Sequence, residues 1–117
     1  MLLIEYAKCT TCQKAAKWLA VNGFSFDRRP IKEQNPTAQE LRLWRQKSGL
    51  PLKRFFNTSG LLYKALGLKD RLLSMGEEEQ YALLASNGML VRRPILVEGD
   101  LVLVGFRERE WAEALKK

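Results

Sequence analysis

Apolar residues recur along the chain with two periods, and the places where the period changes divide it into elements. A short apolar run, "LLIEY" (2–6), is followed by "TTCQKAAKWLAVNG", where Ala15, Ala16, Leu19 and Ala20 fall on an inward face at helical spacing. Thr10 or Thr11 is the expected N-cap of this helix and Asn22-Gly23 its stop. A second extended segment is expected in "FSFDRRPI" (24–31), with Phe24, Phe26 and Ile31 as its apolar positions. A strand, helix and strand of this length predict a right-handed crossover between parallel strands. Residues 9 to 12 then sit at the carboxyl end of the first strand.

The middle of the chain keeps only the helical period. "NPTAQELRLWRQKSG" has Pro36 and Thr37 as start signals, Glu40 at capping-box spacing, and Leu41, Trp44 and Ser48 along one stripe. A helix is predicted over about 37–48, ended by Gly49 and Pro51. Short helical pieces follow, broken at 57–60 and at Gly67. "SMGEEEQYALLASNG" predicts another helix, with Ser74 as N-cap, acidic residues in its first turn and Asn87-Gly88 at its end.

Strand-like runs return in "MLVRRPILVEGDLVLVGF", on either side of Glu98-Gly99-Asp100, and predict a β-hairpin. "REREWAEALKK" closes as an amphipathic helix with Trp111 and Leu115 inward and lysines last. The order β, α, β, several helices, β-hairpin, α predicts the α/β class. A mixed sheet with helices on its faces would bury every apolar run, in one domain over residues 1–117.

Composition changes this picture little. With 117 residues, 46% hydrophobic and 28% charged, the chain can bury one core without disulfide or metal staples. No apolar run approaches the roughly 18 residues that span a bilayer, so no membrane contact is expected. The first residues lack the basic region and cleavage site of a signal peptide, which leads to the expectation of a cytoplasmic protein. Charge adds more: residues 8 to 71 hold fourteen Lys or Arg against four Asp or Glu, within a net charge of +7. That excess reads as a solvated basic surface, with attraction of an acidic partner as the alternative.

Chemistry concentrates in "KCTTCQK". Two cysteines and no histidine cannot furnish the four ligands of a structural zinc site within one chain, so no metal is expected. A staple between Cys9 and Cys12 would close a very small loop, with little entropic gain, in a compartment that keeps thiols reduced. Two ordinary buried thiols and a working redox pair remain as readings, and position favours the second. At the first turn of a helix, unpaired backbone N–H groups and the positive dipole end favour a thiolate at Cys9, with Lys8 and Lys14 adding charge. Cys12, one turn later, is placed to displace a partner from a mixed disulfide on Cys9. Pro94 in "RRPILV" opens an apolar strand where a missing N–H is tolerated, either as a plain trans proline or as a purposeful cis one.

Taken in order, "LIEYAKCTTCQKAAKWL", "FFNTSGLLYKALGL" and "MLVRRPILVEGDLVLVGFREREW" resemble the arsenate reductase (ArsC) and Spx family over essentially the whole chain. The resemblance implies a thioredoxin-like (glutaredoxin-like) mixed sheet with flanking helices, a helical insertion over about 37–86, and a cis Pro94 beside the cysteines. It implies Cys9 as nucleophile, Cys12 as resolving thiol, Arg93 as oxyanion clamp, and Thr10, Thr11 and Pro94 around a small thiol or oxyanion substrate. No bound cofactor is expected; the implied reductants are glutathione with glutaredoxin, or thioredoxin.

Reductases of the family hold the oxyanion with three arginines, whose planar forks suit it. Arg93 matches one of them, while Ser59 and Gly105 stand where the other two fall, so weak or no arsenate turnover is expected. Arg54, Arg92 and Arg107 are read as surface charges, with spatial substitution for the missing pair as the alternative. The Spx branch implies instead a thiol switch that binds the α-subunit of RNA polymerase, with Gly49 the nearest candidate for the polymerase-contact glycine. Direct nucleic-acid binding is not expected.

Overall fold

The structure, a computed structural model, describes residues 1–116; Lys117, expected in the last turn of the closing helix, lies outside the described residues. Four strands, β1 (Leu2–Glu5), β2 (Asp27–Pro30), β3 (Ile95–Glu98) and β4 (Leu101–Val104), form one mixed sheet in the order β2-β1-β3-β4. β1 and β2 are parallel and joined by α1 (Thr10–Val21), whereas β3 runs antiparallel to β1 and to β4. Between β2 and β3 lie α2 (Ala38–Ser48), α3 (Leu61–Ala65), α4 (Leu68–Arg71) and α5 (Glu77–Ser86), with short 3-10 turns among them; α6 (Glu108–Ala114) closes the chain. The fold is thioredoxin-like α/β with a helical insertion, as the resemblance implied.

Strand period and register together assign the core. Leu3 pairs with Leu96 and Leu96 with Leu103, and these three face Ala15, Ala16 and Leu19 of α1 and Trp111 of α6. One residue along, Ile4 pairs with Ile95 and Ile95 with Val104, and this row faces the inserted segment, including Leu41, Trp44, Phe55 and Leu84. Successive side chains point to opposite faces, so both faces of the central strands are apolar. Leu3, Ile4, Ile95 and Leu96 are wholly buried, each contributing on the order of 1.5–3 kcal/mol of transfer free energy.

β2, one of the two edge strands, is polar, "DRRP", which discourages pairing with another chain at that edge. It is shorter than the extended segment expected over 24–31: Phe24 and Phe26 precede it and pack with the α1–α6 core. Arg29 on β2 reaches α2, where its Nη1 and Nη2 donate to the two carboxylate oxygens of Glu40 at 2.6 and 2.9 Å. Glu40 also completes the predicted capping box with Thr37.

Three local expectations are corrected. The N-cap of α1 is Cys9, with Thr10 and Thr11 already inside the helix, because the sulfur itself accepts from the backbone N–H of Cys12. Ala20 is exposed, one step of about 100° beyond the stripe that buries Leu19. Gly76 precedes α5; Ser74 ends a 3-10 turn, and its hydroxyl donates to the carbonyl of Arg71 instead.

Candidate active site around Cys9

The loop from β1 to α1 is pinned at three points. Cys9 N–H donates to Tyr6 O at 3.0 Å, Gln13 N–H to Cys9 O at 3.0 Å, and the Gln13 side-chain amide to Ala7 O at 2.8 Å. Cys9 is left half-buried at the helix entrance, its Sγ 3.4 Å from the Cys12 backbone N–H. Cys12 lies behind it, wholly buried, and both thiols are free.

Burial alone would push the Cys9 thiol up. The Cys12 backbone N–H and thiol, the Arg93 charge and the Thr11 backbone N–H outweigh it, and the Cys9 pKa lies below its ordinary value. Cys12 moves the opposite way: burial, with the adjacent Cys9 sulfur, carries it up to about 12 against the Tyr6 backbone and Arg93. One sulfur is prepared as a thiolate and the other as its hydrogen-bond donor. The charge beside them belongs to Arg93; Lys8 and Lys14, expected in that role, are exposed.

Arg93 is held in place by Met89 O and Val91 O, which accept from its Nη1 at 3.1 and 3.4 Å, and its guanidinium lies 5.3 Å from the Tyr6 ring centroid. The Arg93–Pro94 peptide is cis, and Pro94 is buried. Pro94 O accepts from Gly105 N–H at 2.8 Å, and Gly105 O accepts from the Trp111 indole at 3.0 Å. β3, β4 and α6 are thereby locked together beside the cysteine.

Cys9 opens into a cleft of about 680 Å³ whose lining includes Thr11, Asn57, Arg54, Arg92, Arg93 and Arg107. The cleft brings Cys9, Thr11 and Arg93 together; Thr10 and Pro94 do not line it, and Gly49 lies in a separate shallow depression with Arg45 and Tyr81. Arg54, Arg92 and Arg107 all line this cleft, the first two part-buried and Arg107 exposed, so the alternative that sets them beside the site fits their placement.

Two strand-like hydrogen bonds explain part of the gathering. Arg92 N–H donates to Phe55 O and Asn57 N–H to Leu90 O, both at 2.8 Å, stitching the segment that carries Arg54 to the one that carries Arg92. Gly105, whose φ of 76° lies in the left-handed region that favours glycine, turns the chain between β4 and Arg107.

A family model, the ArsC family, matches residues 5–114. The chain belongs to the ArsC family. Within it, the chain is 50% identical over 108 residues to the YusI protein of Bacillus subtilis, covering 92% of each chain. It is also similar to the regulatory protein MgsR of Bacillus subtilis, at 29% identity over 113 residues, covering 97% of this chain and 88% of MgsR. Among solved structures, an ArsC-family-related protein of Bacteroides fragilis superposes with a TM-score of 0.93 at 53% identity, covering 96% of this chain and 94% of that one. At 24% identity over 110 residues the chain is also similar to the global transcriptional regulator Spx 2 of Bacillus anthracis, covering 94% of this chain and 82% of that one.

Proposed function

We propose that this ArsC-family protein is a thiol–disulfide oxidoreductase in which Cys9 attacks and Cys12 resolves. The observation that carries the reading is the opposed setting of the two sulfurs: Cys9 caps a helix, held below its ordinary pKa, while Cys12 is buried behind it at about 12. A thiolate attacks a disulfide sulfur, and the resulting mixed disulfide is opened by the second thiol. Arg93 serves as the fixed positive charge beside the reacting sulfur, with Thr11 lining the approach. Glutathione with glutaredoxin, or thioredoxin, would return the pair to its reduced state in a cytoplasmic setting.

The test is the pH dependence of Cys9 alkylation together with trapping. A midpoint below the ordinary cysteine value of about 8.5 is expected, with Cys9→Ser inert and Cys12→Ser accumulating mixed disulfides. A midpoint at or above that value, with no Cys9–Cys12 disulfide under mild oxidant, overturns the reading. With arsenate, glutathione and glutaredoxin the wild-type protein is expected to turn over weakly or not at all.

The kinship with MgsR supports a second reading, a redox-sensing regulator that binds the RNA polymerase α-subunit through the region of Gly49. Co-purification with that subunit, compared between reduced and oxidised protein, decides it. Binding in neither state removes it.

A further inference from the structure

The reacting sulfur uses only part of its cleft. The charge that acts on Cys9 is that of Arg93, whereas Arg92 is held below the ordinary arginine value by burial first and then by the charges of Arg54 and Arg107. Three guanidinium groups therefore form a cluster of their own. No carboxylate among the described residues pairs with any of them. Arg92 Nη2 donates to Thr58 Oγ1 at 3.2 Å, but its Nε is buried and has no partner. Like charges gathered at a part-buried guanidinium without a carboxylate cost free energy that an anion bound in the cleft would offset.

Size and charge narrow the anion. Small-molecule sites enclose roughly 300–1,000 Å³ and a water takes about 30 Å³, so a cleft of about 680 Å³ is far larger than one inorganic oxyanion needs. A single carboxylate would answer one guanidinium of the three. A phosphate ester carries up to two negative charges near neutral pH and three acceptor oxygens, which planar arginine forks bind in pairs.

We propose that Arg54, Arg92 and Arg107 form a phosphate subsite, and that the disulfides Cys9 attacks contain a small thiol bearing phosphate groups at a distance from its sulfur. The proposal rests on the reading of Cys9 and Cys12 as an exchanging pair. The Cys9 thiolate attacks the sulfur of the phosphate-bearing half; the disulfide breaks, a bond from Cys9 to that sulfur forms, and the other half leaves as a thiolate that takes a proton from water. Cys12 then gives its proton to solvent and attacks Cys9, forming the Cys9–Cys12 disulfide and releasing the phosphate-bearing thiol. Two electrons pass from the protein to the substrate, and an external dithiol restores them.

The probe is coenzyme A disulfide, with pantethine, its counterpart without phosphates, as control. Pre-reduced wild-type protein is mixed with each and thiol release is followed over a single turnover. A second-order rate constant at least tenfold higher for coenzyme A disulfide is expected, with the preference falling towards one in Arg92→Gln and in the exposed Arg107→Gln. Dephospho-coenzyme A disulfide tells whether the 3′-phosphate or the pyrophosphate is held. Equal rates for the two disulfides, or a preference that survives both substitutions, overturn the phosphate subsite while leaving the exchanging pair intact. Should neither disulfide release thiol, the exchanging pair fails. The subsite is then decided by Cys9→Ser, whose Tm coenzyme A must raise and pantetheine must not; equal shifts overturn it.

Discussion

The two faces of the sheet are built differently. On one, α1 and α6 pack through Ala15, Ala16 and the wholly buried Trp111, which makes an edge-on contact with Phe106 at 4.8 Å between ring centroids. On the other, α3 has five residues and α4 four, and Leu61 and Leu73 are left 86% and 89% exposed. The first face carries Cys9 and, through Trp111 and Gly105, fixes the strand end beside it. The second supplies Arg54 from the segment before α3. Cys9 thus belongs to the α1–α6 face, while the other face joins the longer helices α2 and α5 to the short α3 and α4 and lends the cleft Arg54.

Substitutions on each side test that division. Trp111→Ala removes the largest wholly buried side chain of the α1–α6 face and its indole hydrogen bond, and is expected to cost about 3–5 kcal/mol in urea unfolding and to change the Cys9 alkylation rate. A loss below about 1 kcal/mol, small beside that range, would break the comparison. Thr37→Ala, which uncaps α2, is expected to cost about 1 kcal/mol and to leave Cys9 alkylation untouched.

Glu40 offers a pH version of the same test. Its hydrogen bonds from Arg29, opposed by burial and aided by Thr37, hold its carboxyl down from 4.5 to about 2. Because the folded value is the lower one, this contribution is fully present above pH 4.5 and is lost as the pH falls towards 2. Glu40→Gln should show a shallower fall across that window, by a small margin because the pair is partly solvated. Smallest of all, Leu73→Ser on the exposed side of the insertion is expected within about 0.5 kcal/mol of wild type. A larger loss would show that face to be packed more tightly than its exposure indicates.

What the sequence revealed follows the range of the interactions involved. The Thr37–Glu40 capping box and the turn at Gly99 are local devices, written in adjacent residues, and could be read directly. The Cys9–Cys12 pair was legible from spacing and position. Cys9 as the cap itself was not, because sulfur is outside the usual set of N-cap acceptors. The meeting of Arg54, Arg92 and Arg107 in one cleft was not legible for a different reason. It depends on pairing between residues 55–57 and 90–92, which is set by tertiary structure. A charge count along the chain cannot register which charges share a cavity.

The sulfur cap on α1 makes the helix a gauge of its own chemistry. Cys12 N–H is satisfied by Cys9 Sγ only while that sulfur is a good acceptor, and a partner bonded to Cys9 weakens it as one. Each state of the proposed exchange should therefore leave its mark on the first turn, with the Cys12 amide protected from hydrogen exchange in the thiolate and released in the mixed disulfide. A single backbone proton would then report, without any dye or label, how far along its cycle the molecule has travelled.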